Sequence, residues 1–194
     1  MGKAKLLMDS EVLKKAINEQ ASKILGAIKE KEKIAIIGIR TRGVPLASRL
    51  KEILDKKTGL NIPIGKLDIT LYRDDLSTID TQPIVGITDL SFDVTDKIII
   101  LVDDVIFTGR TIRAALDAII DFGRPKSIKA FILIDRGLRE YPIQPDFYCL
   151  KIETNYNQVV QVRLKEVDGT EEVLLVDLKK DFVTRDLSRE HPAT

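Results

Sequence analysis

Short, continuously apolar runs alternating with helical stripes constrain this chain more than anything else in it. Lys33-Ile34-Ala35-Ile36-Ile37-Gly38-Ile39 is too short for a buried helix and too uniformly apolar for a strand wet on one face, so it reads as a strand covered on both sides. Ile98 to Val102 and Ser127 to Ile134 read the same way, Ile62 to Tyr72 alternates as a strand, and Phe147 to Ile152 is a fifth. Helical stripes lie among them. Asp9-Ser10 caps a helix whose apolar positions Leu13, Ile17, Ala21, Ile24 and Ile28 carry it to about Lys31. Pro45 opens a second helix through Leu46, Leu50 and Leu54, stopped by Gly59, and Thr111 to Phe122 is a third, ended by Gly123 and Pro125. This order predicts an α/β fold, a mostly parallel twisted sheet flanked by helices. Val159 to Lys165 and Val173 to Leu178 flank Asp168-Gly169 and predict a late hairpin.

A chain of 194 residues suits a single domain, expected over residues 1–178, with a polar tail over 179–194 that holds the sole histidine, His191. Lys+Arg number 31 and Asp+Glu 30, so no global field draws the molecule to nucleic acid or membrane, and RNA contact requires a local basic face. One cysteine and one histidine build neither a disulfide nor a zinc cluster. No apolar stretch makes a signal peptide or approaches the ~20 residues of a membrane span. A reduced, cytoplasmic enzyme is the expectation, with Cys149 a buried apolar group. Arg73 to Lys97 has no period and carries Arg73, Asp74, Asp75, Asp80, Asp89, Asp93 and Asp96. A polar excursion of that length in a compact domain is a lid, a hairpin arm, or both.

The third strand runs into Asp103-Asp104-Val105-Ile106-Phe107-Thr108-Gly109-Arg110-Thr111, just ahead of a helix. In open α/β sheets, ligands bind at the carboxyl ends of the strands. Two adjacent carboxylates there accept hydrogen bonds from vicinal hydroxyls, such as those of a ribose. Thr108, Gly109 and Thr111 lie in a turn whose backbone N–H groups and hydroxyls suit a phosphate, and Gly109 lets the backbone come close. Two other readings stand beside this one. An acidic pair at a strand end binds magnesium in response regulators and haloacid phosphatases, although there it follows the first strand, and a Thr-Gly turn also serves as an ordinary helix start.

Ile99 to Thr111, Ile-Ile-Leu-Val-Asp-Asp-Val-Ile-Phe-Thr-Gly-Arg-Thr, resembles the phosphoribosyl pyrophosphate (PRPP) motif of type I phosphoribosyltransferases. Gly38-Ile39-Arg40-Thr41-Arg42-Gly43, Asp68-Ile69-Thr70-Leu71-Tyr72-Arg73-Asp74-Asp75-Leu76-Ser77 and Asp135-Arg136-Gly137-Leu138-Arg139-Glu140-Tyr141-Pro142-Ile143 resemble one subfamily, PyrR. Its members are pyrimidine operon attenuation regulators and uracil phosphoribosyltransferases. The likeness runs from about Met8 to Asp168.

The resemblance implies a type I phosphoribosyltransferase fold with a flexible catalytic loop and a small hood, drawn partly from residues 134–160. It implies conversion of uracil and PRPP to UMP and diphosphate. Asp103 and Asp104 would hold the ribose hydroxyls. Thr108, Gly109, Arg110 and Thr111, with Val105, Ile106 and Phe107, would cradle the 5-phosphate. Arg40, Thr41, Arg42 and Gly43 match the diphosphate loop, where a cis peptide is expected at Arg40-Thr41. Tyr72 to Asp75 begin the catalytic loop, with Arg73 neutralising diphosphate. Arg136, Gly137 and Ile143 belong to the hood over uracil. Mg2+ is the implied cofactor, held mainly by PRPP rather than by a protein metal site. PRPP, uracil and UMP are the implied small-molecule partners, with a homodimer or a tetramer of dimers as the assembly.

The family also binds pyrimidine-operon leader mRNA in a UMP-dependent way, which puts Lys14, Lys15 and Lys23 of the first helix forward as RNA contacts. Two departures from the family pattern follow. Leu138 stands where histidine is usual, which leaves a transferase for another base as an alternative. The same altered hood leaves a nucleotide-binding regulator with little transferase activity as another, while Asn18, Glu19, Ser22 and Glu153 stand where RNA-facing basic and hydrogen-bonding groups are usual and leave retention of RNA binding open.

Overall fold

The computed structural model of the protein describes residues 4–72 and 87–178. Its centre is a five-stranded, all-parallel sheet. The strands are β2 (Ile34–Ile39), β3 (Ile64–Leu67), β4 (Ile98–Ile106), β5 (Ser127–Asp135) and β6 (Phe147–Lys151), in the order β3-β2-β4-β5-β6. β2 is buried at every position because both faces are covered. Ile34 and Ile36 pack with helices α1 (Ser10–Ala27) and α2 (Gly43–Thr58), while Ala35, Ile37 and Ile39 pack with α3 (Arg110–Ile120). That two-sided cover explains the continuous apolar runs.

A second sheet is antiparallel, in the order β1 (Ala4–Asp9), β8 (Glu172–Asp177), β7 (Gln158–Arg163). Sequence reading finds β7 and β8 but not β1, whose partner β8 lies at the far end of the chain. The expected tight turn at Asp168-Gly169 is instead a longer connection. It contains a short helix, α4 (Lys165–Asp168), closed by Gly169 at φ 71°. Asp168 is therefore the last residue of a helical turn.

Other expected boundaries shift for local reasons. The strand expected over Ile62 to Tyr72 stops at Leu67, because the Asp68 carboxylate accepts the Thr70 N–H at 2.8 Å and a 3-10 turn, Thr70–Tyr72, follows. Helix α1 ends at Ala27 rather than near Lys31: Ile28 is still buried, but in extended backbone, so the apolar stripe outlasts the helix. β4 runs four residues beyond the expected Val102, which takes the acidic pair into the strand.

Candidate active site

The site forms at the carboxyl ends of β2, β4 and β5. β4 pairs with β2 as far as Val102, while on its other side Asp103 is in register with Ile132 and Val105 with Ile134. Successive strand residues point to opposite faces. Asp103 and Asp104 therefore straddle the sheet, and because β2 stops short of them both line one cleft of about 460 Å3, with Arg40, Thr41, Arg42, Asp68, Thr70 and Thr111. Asp103 is buried and its Oδ1 accepts the Asp104 N–H at 3.0 Å; the Asp104 Oδ1 accepts the Val105 N–H at 2.9 Å. Burial pushes the Asp104 carboxyl up from its ordinary value, against the Val105 N–H and the Arg42 charge, which pull it down.

The loop between β2 and α2 carries the cis Arg40-Thr41 peptide and delivers Gly43 as the first residue of α2. A side chain at Gly43 has nowhere to go: a Cβ there would run into the Val102 carbonyl oxygen and lie 3.3 Å from the Asp103 Cα. The two backbones touch, so the loop is held against the acidic pair. A Gly43→Ala variant is expected to lose about 1–3 kcal/mol in denaturant unfolding, because backbone cannot swing aside as a side chain can. Arg42 stands between the acidic pair and Asp168 and pairs with the Asp168 carboxylate, with Nη2 2.7 Å from Oδ1 and Nε 3.2 Å from Oδ2. Each partner reinforces the charge of the other, raising the Arg42 pKa and lowering that of Asp168.

Beyond β4, Val105 to Ile112 line an adjoining hollow of about 350 Å3. Gly109 caps α3 at φ 95°, a left-handed conformation that glycine adopts without cost. The hood residues close directly on this turn. The Thr108 carbonyl accepts N–H groups from both Glu140 and Tyr141, at 2.9 and 3.0 Å. Arg110 pairs with Glu140 at 2.7 Å and its guanidinium lies 5.3 Å from the centre of the Tyr141 ring.

Arg136 and Arg139 brace this region differently. Arg136 is buried over the Phe107 ring, 4.1 Å from its centre, and donates to Thr154 Oγ1 and to the carbonyls of Asn155 and Gln158. Its side chain thus holds the loop before β7. The backbone N–H groups of Arg136, Gly137 and Ile143 are taken up within the protein, by the Ile106 carbonyl, Asp135 Oδ1 and the Tyr141 carbonyl. Arg139 bonds Asp135 Oδ1 at 2.7 Å, the carbonyls of Phe107 and Ile143 at 2.9 Å each, and the Gly137 carbonyl at 3.1 Å. Asp135 and Arg139 stand in the hood motif with no local sign of this pairing, and Asp168, whose tie to Arg42 likewise has no local signature, is not apparent from the sequence.

Arg73 lies outside the described residues, as do Asp74, Asp75, Asp80 and the tail with His191. Tyr72, just before that segment, donates its hydroxyl to Asp121 Oδ2. Lys14, Lys15 and Lys23 are exposed on α1 but not gathered. At about 100° per residue, Lys14 and Lys23 fall on opposite flanks of the exposed face, with Glu11, Lys15 and Glu19 between them. Cys149 is half-buried, and burial pushes its thiol up to about 12, which makes it a poor nucleophile at neutral pH.

A phosphoribosyl transferase domain model matches residues 5–167. Solved structures share the fold at low sequence identity. A hypoxanthine phosphoribosyltransferase from Staphylococcus aureus has a TM-score of 0.68 at 17% identity, over 92% of each chain. The Trypanosoma cruzi enzyme has 0.69 at 16%, over 95% of each. Closer in sequence is the bifunctional protein PyrR of Deinococcus radiodurans, 48% identical over 171 residues, 88% of this chain and 93% of that one. That of Clostridioides difficile is 45% identical over 169 residues, 87% and 96%. The chain belongs to the type I phosphoribosyltransferase family, among the PyrR proteins.

Proposed function

We propose that this protein transfers ribose 5-phosphate from PRPP to uracil, giving UMP and diphosphate, within one domain over residues 1–178. The observation that carries this reading is the placement of the acidic pair, the Gly109 turn and the Arg42 loop around the end of one strand, β4. Asp103 and Asp104 accept the ribose hydroxyls. The turn from Val105 to Thr111 takes the 5-phosphate on backbone N–H groups and on the Thr108 and Thr111 hydroxyls. Arg40 to Gly43 face the diphosphate, joined by Arg73 from the segment that follows Tyr72. The hood at Arg136, Gly137 and Ile143 covers uracil, with the second lone pair of each carbonyl as its acceptor.

The bond from ribose C1 to diphosphate breaks with cationic character at C1, and uracil N1 bonds from the opposite face as it gives up its proton. The protein's part is to hold both reactants in line and keep water out. The acidic pair offers hard oxygen donors, and among the described residues no larger cluster of metal-binding side chains joins it. That set fits Mg2+, which keeps much of its coordination on phosphate oxygens and water. When bound, Mg2+ supplies positive charge for the departing diphosphate.

Product formation from PRPP and Mg2+ with a panel of uracil, orotate, hypoxanthine and guanine tests this reading. Preferential UMP formation is expected; preferential turnover of a purine would overturn the base assignment. The raised Asp104 pKa adds a pH signature. The folded protein takes up a proton there before an ordinary carboxylate would, so UMP affinity should begin to fall at a higher pH than in a site of unshifted carboxylates. Asp104→Asn should remove that step from a titration of affinity against pH.

A second role rests on the relatives being bifunctional PyrR proteins. In this reading UMP in the same site promotes binding of pyrimidine-operon leader mRNA, in a cytoplasmic homodimer or tetramer of dimers. Arg136 supports it by joining the hood to the loop at Thr154–Gln158. The mixed charge of the α1 face limits what Lys14, Lys15 and Lys23 contribute. A gel shift with the cognate leader should show retardation that depends on UMP.

A further inference from the structure

We propose that Asp168 is a positioning residue for the diphosphate end of PRPP, acting through Arg42. The proposal rests on the assignment of Arg42 to diphosphate made above. Arg42 is half-buried at the wall between two hollows, one lined by Arg40, Thr41, Asp103 and Asp104, the other by Asp104, Arg163 and Asp168. A free arginine side chain there would sample many rotamers and lose that freedom on binding. Asp168 removes the freedom beforehand. Its carboxylate takes the Nε–Nη2 edge of the guanidinium in a two-point contact, and the planar fork has a second donor edge for an anion in the cleft.

The anchor is itself fixed. The Asp168 N–H donates to the Leu164 carbonyl at 2.7 Å, its Oδ2 accepts the Leu164 N–H at 2.9 Å, and Gly169 closes the turn at φ 71°. Nearby, Glu166 bonds Arg49 of α2, with Nη2 2.7 Å from Oε2, and Glu171 pairs with the same guanidinium. The connection between β7 and β8 is thus bound to α2 at two places, and one of them is the arginine that opens that helix. The second sheet in this way orders a side chain of the first sheet's site. UMP lacks the diphosphate, so the effect of Asp168 belongs to PRPP and diphosphate and not to the nucleotide product.

The test is titration calorimetry of PRPP, Mg2+-diphosphate and UMP on the full chain and on Asp168→Asn, Asp168→Glu and Arg42→Ala. Asparagine keeps an acceptor for the Leu164 N–H, so the turn survives while the charge goes. Asp168→Asn is expected to weaken PRPP and diphosphate about tenfold and to leave UMP within about twofold. The KM for PRPP should rise with it and that for uracil should hold. Asp168→Glu should recover part of the loss, and Asp168→Asn should add little in an Arg42→Ala background. Equal weakening of UMP and PRPP would mark a structural role and overturn the proposal. So would unchanged or tighter diphosphate binding in Asp168→Asn when Arg42→Ala weakens it. Unchanged diphosphate binding in Arg42→Ala would remove the assignment of Arg42, and the proposal with it.

Discussion

Replacing Asp103 and Asp104 together by asparagine is expected to lower kcat/KM for UMP formation by about a thousandfold, in the range seen when transition-state charge stabilisation is removed. The fold should survive. Each carboxylate accepts one backbone N–H, Asp104 for Asp103 and Val105 for Asp104, and an amide oxygen accepts the same bond. Burial disfavours the Asp104 charge, so its removal is expected to keep or raise the melting temperature. Steady-state kinetics beside thermal unfolding checks both halves. Unchanged uracil turnover would take the ribose role away from these carboxylates.

Arg139→Ala should produce the largest loss of stability among the site variants. Asp135 is buried and Arg139 half-buried, with side chains 3% and 12% exposed, and the alanine leaves the carboxylate without its cation, accepting only the Gly137 N–H among the bonds described. Breaking a buried pair in this way costs about 3–5 kcal/mol. The same change releases the carbonyls of Phe107, Gly137 and Ile143, which belong to the turn before α3 and to the segment that closes on it. The KM for uracil should rise accordingly, while Arg139→Lys, able to meet some but not all of these acceptors, falls between alanine and wild type. Denaturant unfolding and uracil kinetics measure the two effects; an alanine variant with normal stability and normal uracil KM would show that the clasp organises nothing.

The parts of this molecule legible in the sequence are those whose signals are local. The apolar runs at Ile34–Ile39 and Ile98–Val102 mark strands because both faces are covered, and Gly109 marks the turn because a left-handed cap favours glycine. The acidic pair stands out by composition alone. The misses depend on distant partners. β1 is mostly exposed and exists through β8. Asp168 reads as half of a turn dipeptide, and only the fold brings it to Arg42. Ile62 to Tyr72 alternates correctly, yet the Asp68 side chain captures the Thr70 N–H and ends the strand, a competition that periodicity does not register. Asp135 and Arg139 are visible as residues, but their role depends on the Phe107 carbonyl, thirty-two positions from Arg139.

The pairing of β1 with β8 sets an order on biosynthesis. Ala4 lies opposite Val176, so β1 leaves the ribosome long before β8, the strand it pairs with among the described residues. The central sheet meets no such delay, since β2 through β6 follow one another within the interval. A nascent chain can therefore assemble the acidic pair and the Gly109 turn while β7 and β8 are still unmade. Closure of so long a loop comes late in folding. Until then Arg42 lacks Asp168, and the growing polypeptide holds the Gly109 turn before it holds an ordered Arg42 side chain.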